Sequence, residues 1–167
     1  MKPFILTGFM GCGKSTVGRA LAKELRSDFL DADIFFAEQA GITPAFYIKR
    51  FGLEAFRKLE AHYLKIILKN RPGVLATGGG VVLKPFSRHL ILQNGFVVWL
   101  EVPLPLILIR LNQRALPPML KRPILLAHLQ ELYAVREPCY QKCHGKILNA
   151  YASPKEVAIQ ILEKYKF

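Results

Sequence analysis

Gly8-Phe9-Met10-Gly11-Cys12-Gly13-Lys14-Ser15-Thr16 fits the pattern G-x-x-x-x-G-K-[ST], which wraps backbone round a polyphosphate. Its glycines can adopt positive φ, so successive N–H groups can converge on an anion. Lys14 offers a point charge for the outer phosphates, and Ser15 a hydroxyl for Mg²⁺. The chemistry indicated is binding of a nucleoside triphosphate with one Mg²⁺ ion. A second pair of interest is Asp31 and Asp33, two carboxylates at i, i+2 spacing. That spacing suits one carboxylate aimed at the metal or its waters and the other at an acceptor hydroxyl. It also suits Asp33 as a plain helix N-cap before Ile34. Thr77-Gly78-Gly79-Gly80 closes a short apolar run, so backbone there must approach something closely, and a ligand pocket is favoured over a flexible turn. Arg57 and Glu60 lie one helical turn apart, and spacing alone ranks a surface salt bridge ahead of a functional role. Cys139, Cys143 and His144 lack a fourth nearby ligand and read as structural.

These residues need elements to hold them. Phe4-Ile5-Leu6-Thr7 reads as a buried strand that feeds the glycine loop, and Val17, Leu21 and Leu25 give the following stretch helical periodicity. Phe29-Leu30 is a second strand, ending at the carboxylate pair. Thr43-Pro44 begins a short helix that stops at Gly52, and a longer helix spans about 54–68. Val74-Leu75-Ala76 is the strand that runs into the triple glycine. Pro85 opens a helix to about Gln93. The stretch 96–102 is the clearest strand, nearly unbroken in apolarity as an interior parallel strand should be. Helix is expected from Leu104 to about Asn112 and from Leu125 to about Cys143, the latter bent or interrupted by Pro138. Lys146-Ile147-Leu148 is a last short strand. Ser153-Pro154-Lys155-Glu156 has capping-box spacing and opens the final helix. Between residues 113 and 123, two proline sites and several cations preclude continuous helix and suggest a lid over the phosphates. Strand–helix alternation of this kind implies parallel α/β layers.

The chain has 167 residues, of which 51% are hydrophobic, enough for one domain with a real core. No apolar stretch is long enough to cross a membrane, and the N-terminal apolar run is too short for a signal peptide. Three cysteines argue against a disulfide framework and fit a cytoplasmic protein. The net charge of +12 is dispersed rather than blocked, which favours solvated surface over a nucleic-acid or membrane partner.

Taken together, the ordered set resembles the shikimate kinases, small members of the nucleoside-monophosphate-kinase-like group of P-loop proteins. The resemblance covers nearly the whole chain and rests on the phosphate loop, Asp31-Ala32-Asp33, Phe56-Arg57-Lys58-Leu59-Glu60, Gly78-Gly79-Gly80, Arg122-Pro123 and Arg136. It implies a three-layer α/β/α fold with five parallel strands in one domain, residues 1–167. Within that domain it implies a shikimate-binding region at about 34–68 and a mobile lid at about 113–124. The implied reaction is ATP-dependent phosphorylation of the shikimate 3-hydroxyl, by a cytoplasmic monomer with no nucleic-acid or membrane partner. Gly11, Cys12, Gly13, Lys14, Ser15 and Thr16 would hold ATP phosphates, with Arg110 flanking the adenine. Ser15 would ligate Mg²⁺, and Asp31 would hold it through water. Asp33 would bind the acceptor hydroxyl and accept its proton. Arg57 and Arg136 would grip the shikimate carboxylate, beside Gly78, Gly79 and Gly80, with Glu60 orienting Arg57. Arg122 would reach the transferring phosphates from the lid. The lid is longer than is usual in the family, Ile124 stands where leucine is typical, and Asn149 stands where an aspartate is common. Competing expectations are a related kinase of another hydroxy acid such as gluconate, or a kinase-like module without turnover.

Overall fold

The computed structural model describes residues 2–113, 120, 124–148 and 151–165. Five strands form one parallel sheet: β1 (Phe4–Thr7), β2 (Phe29–Asp31), β3 (Val74–Ala76), β4 (Phe96–Glu101) and β5 (Gly145–Leu148). Their order across the sheet is β2-β3-β1-β4-β5. β1 sits centrally, with Ile5 opposite both Leu75 and Val97. Its four residues are all buried, Ile5 and Leu6 completely. Each such side chain contributes roughly 1.5–3 kcal/mol relative to exposure, so the strand that feeds the glycine loop is firmly anchored.

The helices are α1 (Lys14–Leu25), α2 (Ala32–Ala40), α3 (Pro44–Phe51), α4 (Leu53–Lys69), α5 (Pro85–Asn94), α6 (Leu104–Asn112), α7 (Leu126–Tyr140) and α8 (Pro154–Lys164). α1 packs against α8, and α4 against α2, α3 and α5. Sheet and helices make the three α/β/α layers. Local signals explain most boundaries. Thr43 accepts from the Phe46 N–H and Pro44 follows it at the start of α3. Ser153 and Glu156 form a reciprocal capping box on α8. Pro138 neither interrupts nor ends α7, which runs through it to Tyr140. It lies in the last turn, where only one backbone bond is forgone.

The C-terminal ends of β1, β2 and β3 converge, which is where open parallel sheets bind ligands. Gly8, Asp31 and Thr77 stand there, and the sheet thereby brings together three stretches far apart in sequence.

Candidate active site

The phosphate loop leaves β1 at Gly8. Gly8 has φ 144°, and a Cβ there would meet the Leu100 carbonyl oxygen at 2.5 Å, so only glycine fits beside β4. Gly13 caps α1 in the left-handed region with no side-chain cap. The first-turn N–H groups of α1 therefore remain available to an anion, backed by the helix dipole. Lys14 Nζ donates to the Gly8 and Phe9 carbonyls, both at 3.0 Å, so the cation is folded over the loop it must serve. Cys12 is placed differently from its neighbours. Its side chain is fully buried and its N–H donates to Phe9 O at 3.3 Å, so it packs beneath the loop. Arg110, in the last turn of α6, donates to Gly11 O at 3.3 Å.

Asp31 and Asp33 divide their work in a way spacing alone did not reveal. Asp31, not Asp33, is the N-cap of α2: its Oδ1 accepts from the Asp33 and Ile34 N–H groups. Its Oδ2 accepts from Ser15 Oγ at 2.5 Å. The Asp33 carboxylate, freed from capping, faces the cleft. Burial raises its pKa, the nearby Asp31 adds to the rise, and Lys14 and Arg57 oppose it.

The triple glycine lies between charged side chains. A Cβ on Gly78 would stand 3.0 Å from Glu60 Oε1 and 3.1 Å from Asp33 Oδ1. One on Gly80 would overlap the Arg57 guanidinium. Arg57 and Glu60 do pair, at 2.6 Å, but the pair is no surface bridge: the side chains are 8% and 11% exposed. Burial is also the main reason the Glu60 carboxyl is raised, with the Arg57 charge opposing it. Arg136, on α7, is 5% exposed and lies over the Phe9 ring at 5.1 Å. Burial lowers its pKa, the neighbouring Tyr140 counters that, and Arg57 lowers it further. Two guanidinium groups are thus held near each other in the same wall.

Most of these residues line one cleft of about 300 Å³, though Cys12 and Arg110 do not. Lys14, Ser15, Thr16 and Asp31 share its wall with Asp33, Arg57, Gly79 and Arg136. Pro44, Ala45, Ile48 and Phe56 supply an apolar side. Sequence reading did not single these out as a wall, because helix periodicity reports burial and not what a helix faces. Arg122 lies outside the described residues, as does most of the lid. Among the described residues no cluster of three or more His, Cys, Asp or Glu side chains is arranged to hold a metal. His144 Nδ1 accepts from Val97 N–H at 3.0 Å, and Cys139 Sγ from Arg88 at 3.5 Å, which gives both structural partners. No described helix is long and apolar enough to cross a membrane.

A phosphate loop at the end of the central strand, opposite a small cleft with a carboxylate and buried guanidiniums, defines a P-loop small-molecule kinase of the nucleoside-monophosphate-kinase-like group. The family model described as shikimate kinase matches residues 10–166. A shikimate kinase of a Sulfurihydrogenibium species is 35% identical over 166 residues, covering 99% of both chains. One from Xylella fastidiosa is 35% identical, covering 95% of this chain and 88% of its own. The solved shikimate kinase of Acinetobacter baumannii, in complex with shikimate, superposes with a TM-score of 0.91 at 32% identity, covering 98% of this chain and 92% of that one. The chain belongs to the shikimate kinase family.

Proposed function

We propose that the chain transfers the γ-phosphoryl group of ATP to the 3-hydroxyl of shikimate. The observation that carries the reading is the pair of buried arginines, Arg57 and Arg136, set in one cleft with the phosphate loop and Asp33. Guanidinium forks bind a carboxylate bidentately, and an acceptor with one carboxylate and a reactive hydroxyl spans such a cleft. The helices within about 34–68 form the acceptor-binding region, and residues 113–124 the lid of a single domain.

In the reaction, the acceptor oxygen forms a bond to the γ-phosphorus and the bond from that phosphorus to the β–γ bridging oxygen breaks. ADP leaves, and the hydroxyl proton passes to the Asp33 carboxylate. A carboxyl raised by burial is better matched to that proton than an ordinary one. Gly11, Gly13, Lys14, Ser15 and Thr16 bind the phosphates, and Lys14 exchanges its loop carbonyls for them. Arg110 flanks the adenine. Gly78, Gly79 and Gly80 bring backbone against the acceptor, and Glu60 orients Arg57.

The donor set at Ser15 and Asp31, a hydroxyl and a carboxylate, fits a hard cation that keeps most of its waters. Ser15 would ligate Mg²⁺ and Asp31 would hold one of its waters. When bound, Mg²⁺ supplies charge neutralisation across the outer phosphates. The reaction belongs to a cytoplasmic monomer without a nucleic-acid or membrane partner.

Arg57→Ala and Arg136→Ala test the cleft. Each should raise KM for shikimate by the equivalent of roughly 2–5 kcal/mol while KM for ATP changes far less. Equal effects on both substrates would refute the carboxylate assignment. The lid carries a separate expectation: Arg122→Ala slows phosphoryl transfer strongly in single-turnover kinetics but weakens ATP binding less, as an interaction made mainly in the transition state must. An unchanged transfer rate would remove Arg122 from the reaction.

A further inference from the structure

Tyr140 is the last residue of α7 and has no exposed surface. It stands one helical turn beyond Arg136 on the same buried face. Its hydroxyl donates to the Gly79 carbonyl at 2.5 Å, and the Arg136 side chain lies beside it. Donation to Gly79 leaves the oxygen able to receive from Arg136. A phenol has one proton to give and lone pairs to receive with, whereas a guanidinium only donates. The ring is fixed from behind by stacking on Trp99 of β4, with centroids 5.7 Å apart and planes at 22°. Burial pushes the phenol well above its ordinary range, so the proton given to Gly79 is retained at every working pH.

The contacts converge on one atom. β4 holds Trp99, Trp99 holds the ring, and the ring's oxygen meets both an arginine of α7 and the glycine segment after β3. Gly79 has no side chain through which to be held. Arg136 hangs on a long side chain whose freedom must be removed before it can bind bidentately. A Cβ on Gly79 would stand 3.6 Å from Arg136 Nη1, so the two groups already touch the same space.

We propose that Tyr140 is a positioning residue for the acceptor end of the cleft, its hydroxyl holding the Arg136 guanidinium and the Gly79 backbone in one fixed frame. The proposal rests on the reading of Arg136 as a carboxylate ligand. Without the hydroxyl, Arg136 has more orientations to lose on binding and the half-buried Gly79 carbonyl lacks its partner. The consequence falls on acceptor affinity and not on the nucleotide, which binds across the phosphate loop.

The test is Tyr140→Phe, which keeps the ring and its stacking and removes only the oxygen. KM for shikimate should rise about tenfold, with KM for ATP within about twofold, as befits loss of one hydrogen bond to a charged group. Trp99 is the single tryptophan of the chain, and its fluorescence gives the shikimate Kd without turnover; that Kd should weaken by the same factor. Combined with Arg136→Ala, the substitution should add less than about twofold, because Tyr140 acts through Arg136. A purely structural role would instead lower the melting temperature and leave the two KM values in their original ratio, and this result would overturn the proposal. So would full multiplicativity with Arg136→Ala, or an unchanged shikimate Kd in Tyr140→Phe while Arg136→Ala weakens it. Should Arg136→Ala itself leave shikimate affinity intact, the carboxylate reading fails first and takes this proposal with it.

Discussion

Burial holds the Asp33 carboxyl above its ordinary value of 3.8, and Asp31 reinforces the rise. A carboxyl raised in the folded state binds its proton more tightly there than in the unfolded chain. Its ionised form therefore costs stability above the folded value. That cost fades as pH falls through the folded value and is gone below 3.8, where both states hold the proton. Asp33→Asn removes the cost together with the base. At neutral pH the variant should melt higher than the parent, by about 2–4 °C for each kcal/mol recovered. The gap should close as pH approaches 3.8, and turnover should fall by at least about 10²-fold. Thermal scans across pH, with activity measured on the same samples, check both; a variant that melts lower at neutral pH would mean that the carboxylate is net stabilising. At this scale residue types were legible and their surroundings were not. The spacing of Arg57 and Glu60 is that of any surface pair, and only the packing of α4 against α2, α3 and α5 reveals that the bridge is buried. Likewise Asp31 takes the cap of α2 because its own backbone is extended, a choice that i, i+2 spacing leaves open.

Elements were read well wherever a local signal closes them. Thr43-Pro44 with Gly52, the capping box at Ser153, and the proline-marked start of α6 all follow from capping and proline chemistry. The short 3₁₀ turn at Val81–Leu83 has no such signal and was missed. It matters because it aims the glycine segment after β3 at α4 and α7. Gly80 is the tight point of that segment, with φ at −107°, a value open to any residue. Alanine there is not strained by its backbone but collides with the Arg57 guanidinium. Gly80→Ala should therefore displace Arg57 from Glu60, raising KM for shikimate about as much as Arg57→Ala while leaving KM for ATP near its original value. Steady-state kinetics with each substrate varied in turn decides this, and an unaltered shikimate KM would show that Arg57 does not need that position.

For the molecule as a whole, alternation of strands and helices announced a parallel α/β protein. It could not give the order β2-β3-β1-β4-β5, because strand order depends on contacts far apart in sequence. That order is what sets Gly8, Asp31 and Thr77 side by side. The apolar side of the cleft arises in the same long-range way, from α3 and α4 folding back over the strand ends. The net charge of +12 exceeds what the cleft uses. Specificity is the property in which all scales meet: two arginines, a glycine segment, a base and an apolar wall must fit one acid. The most direct measurement is a coupled assay of ADP release with Mg²⁺, ATP and a panel of hydroxy acids that includes shikimate and gluconate. Shikimate should drive turnover with kcat/KM at least about 10²-fold above gluconate, the discrimination expected where polar groups in a cleft are left unpaired by the wrong substrate. ADP release that shikimate fails to stimulate, or a preference for gluconate, would contradict the assignment.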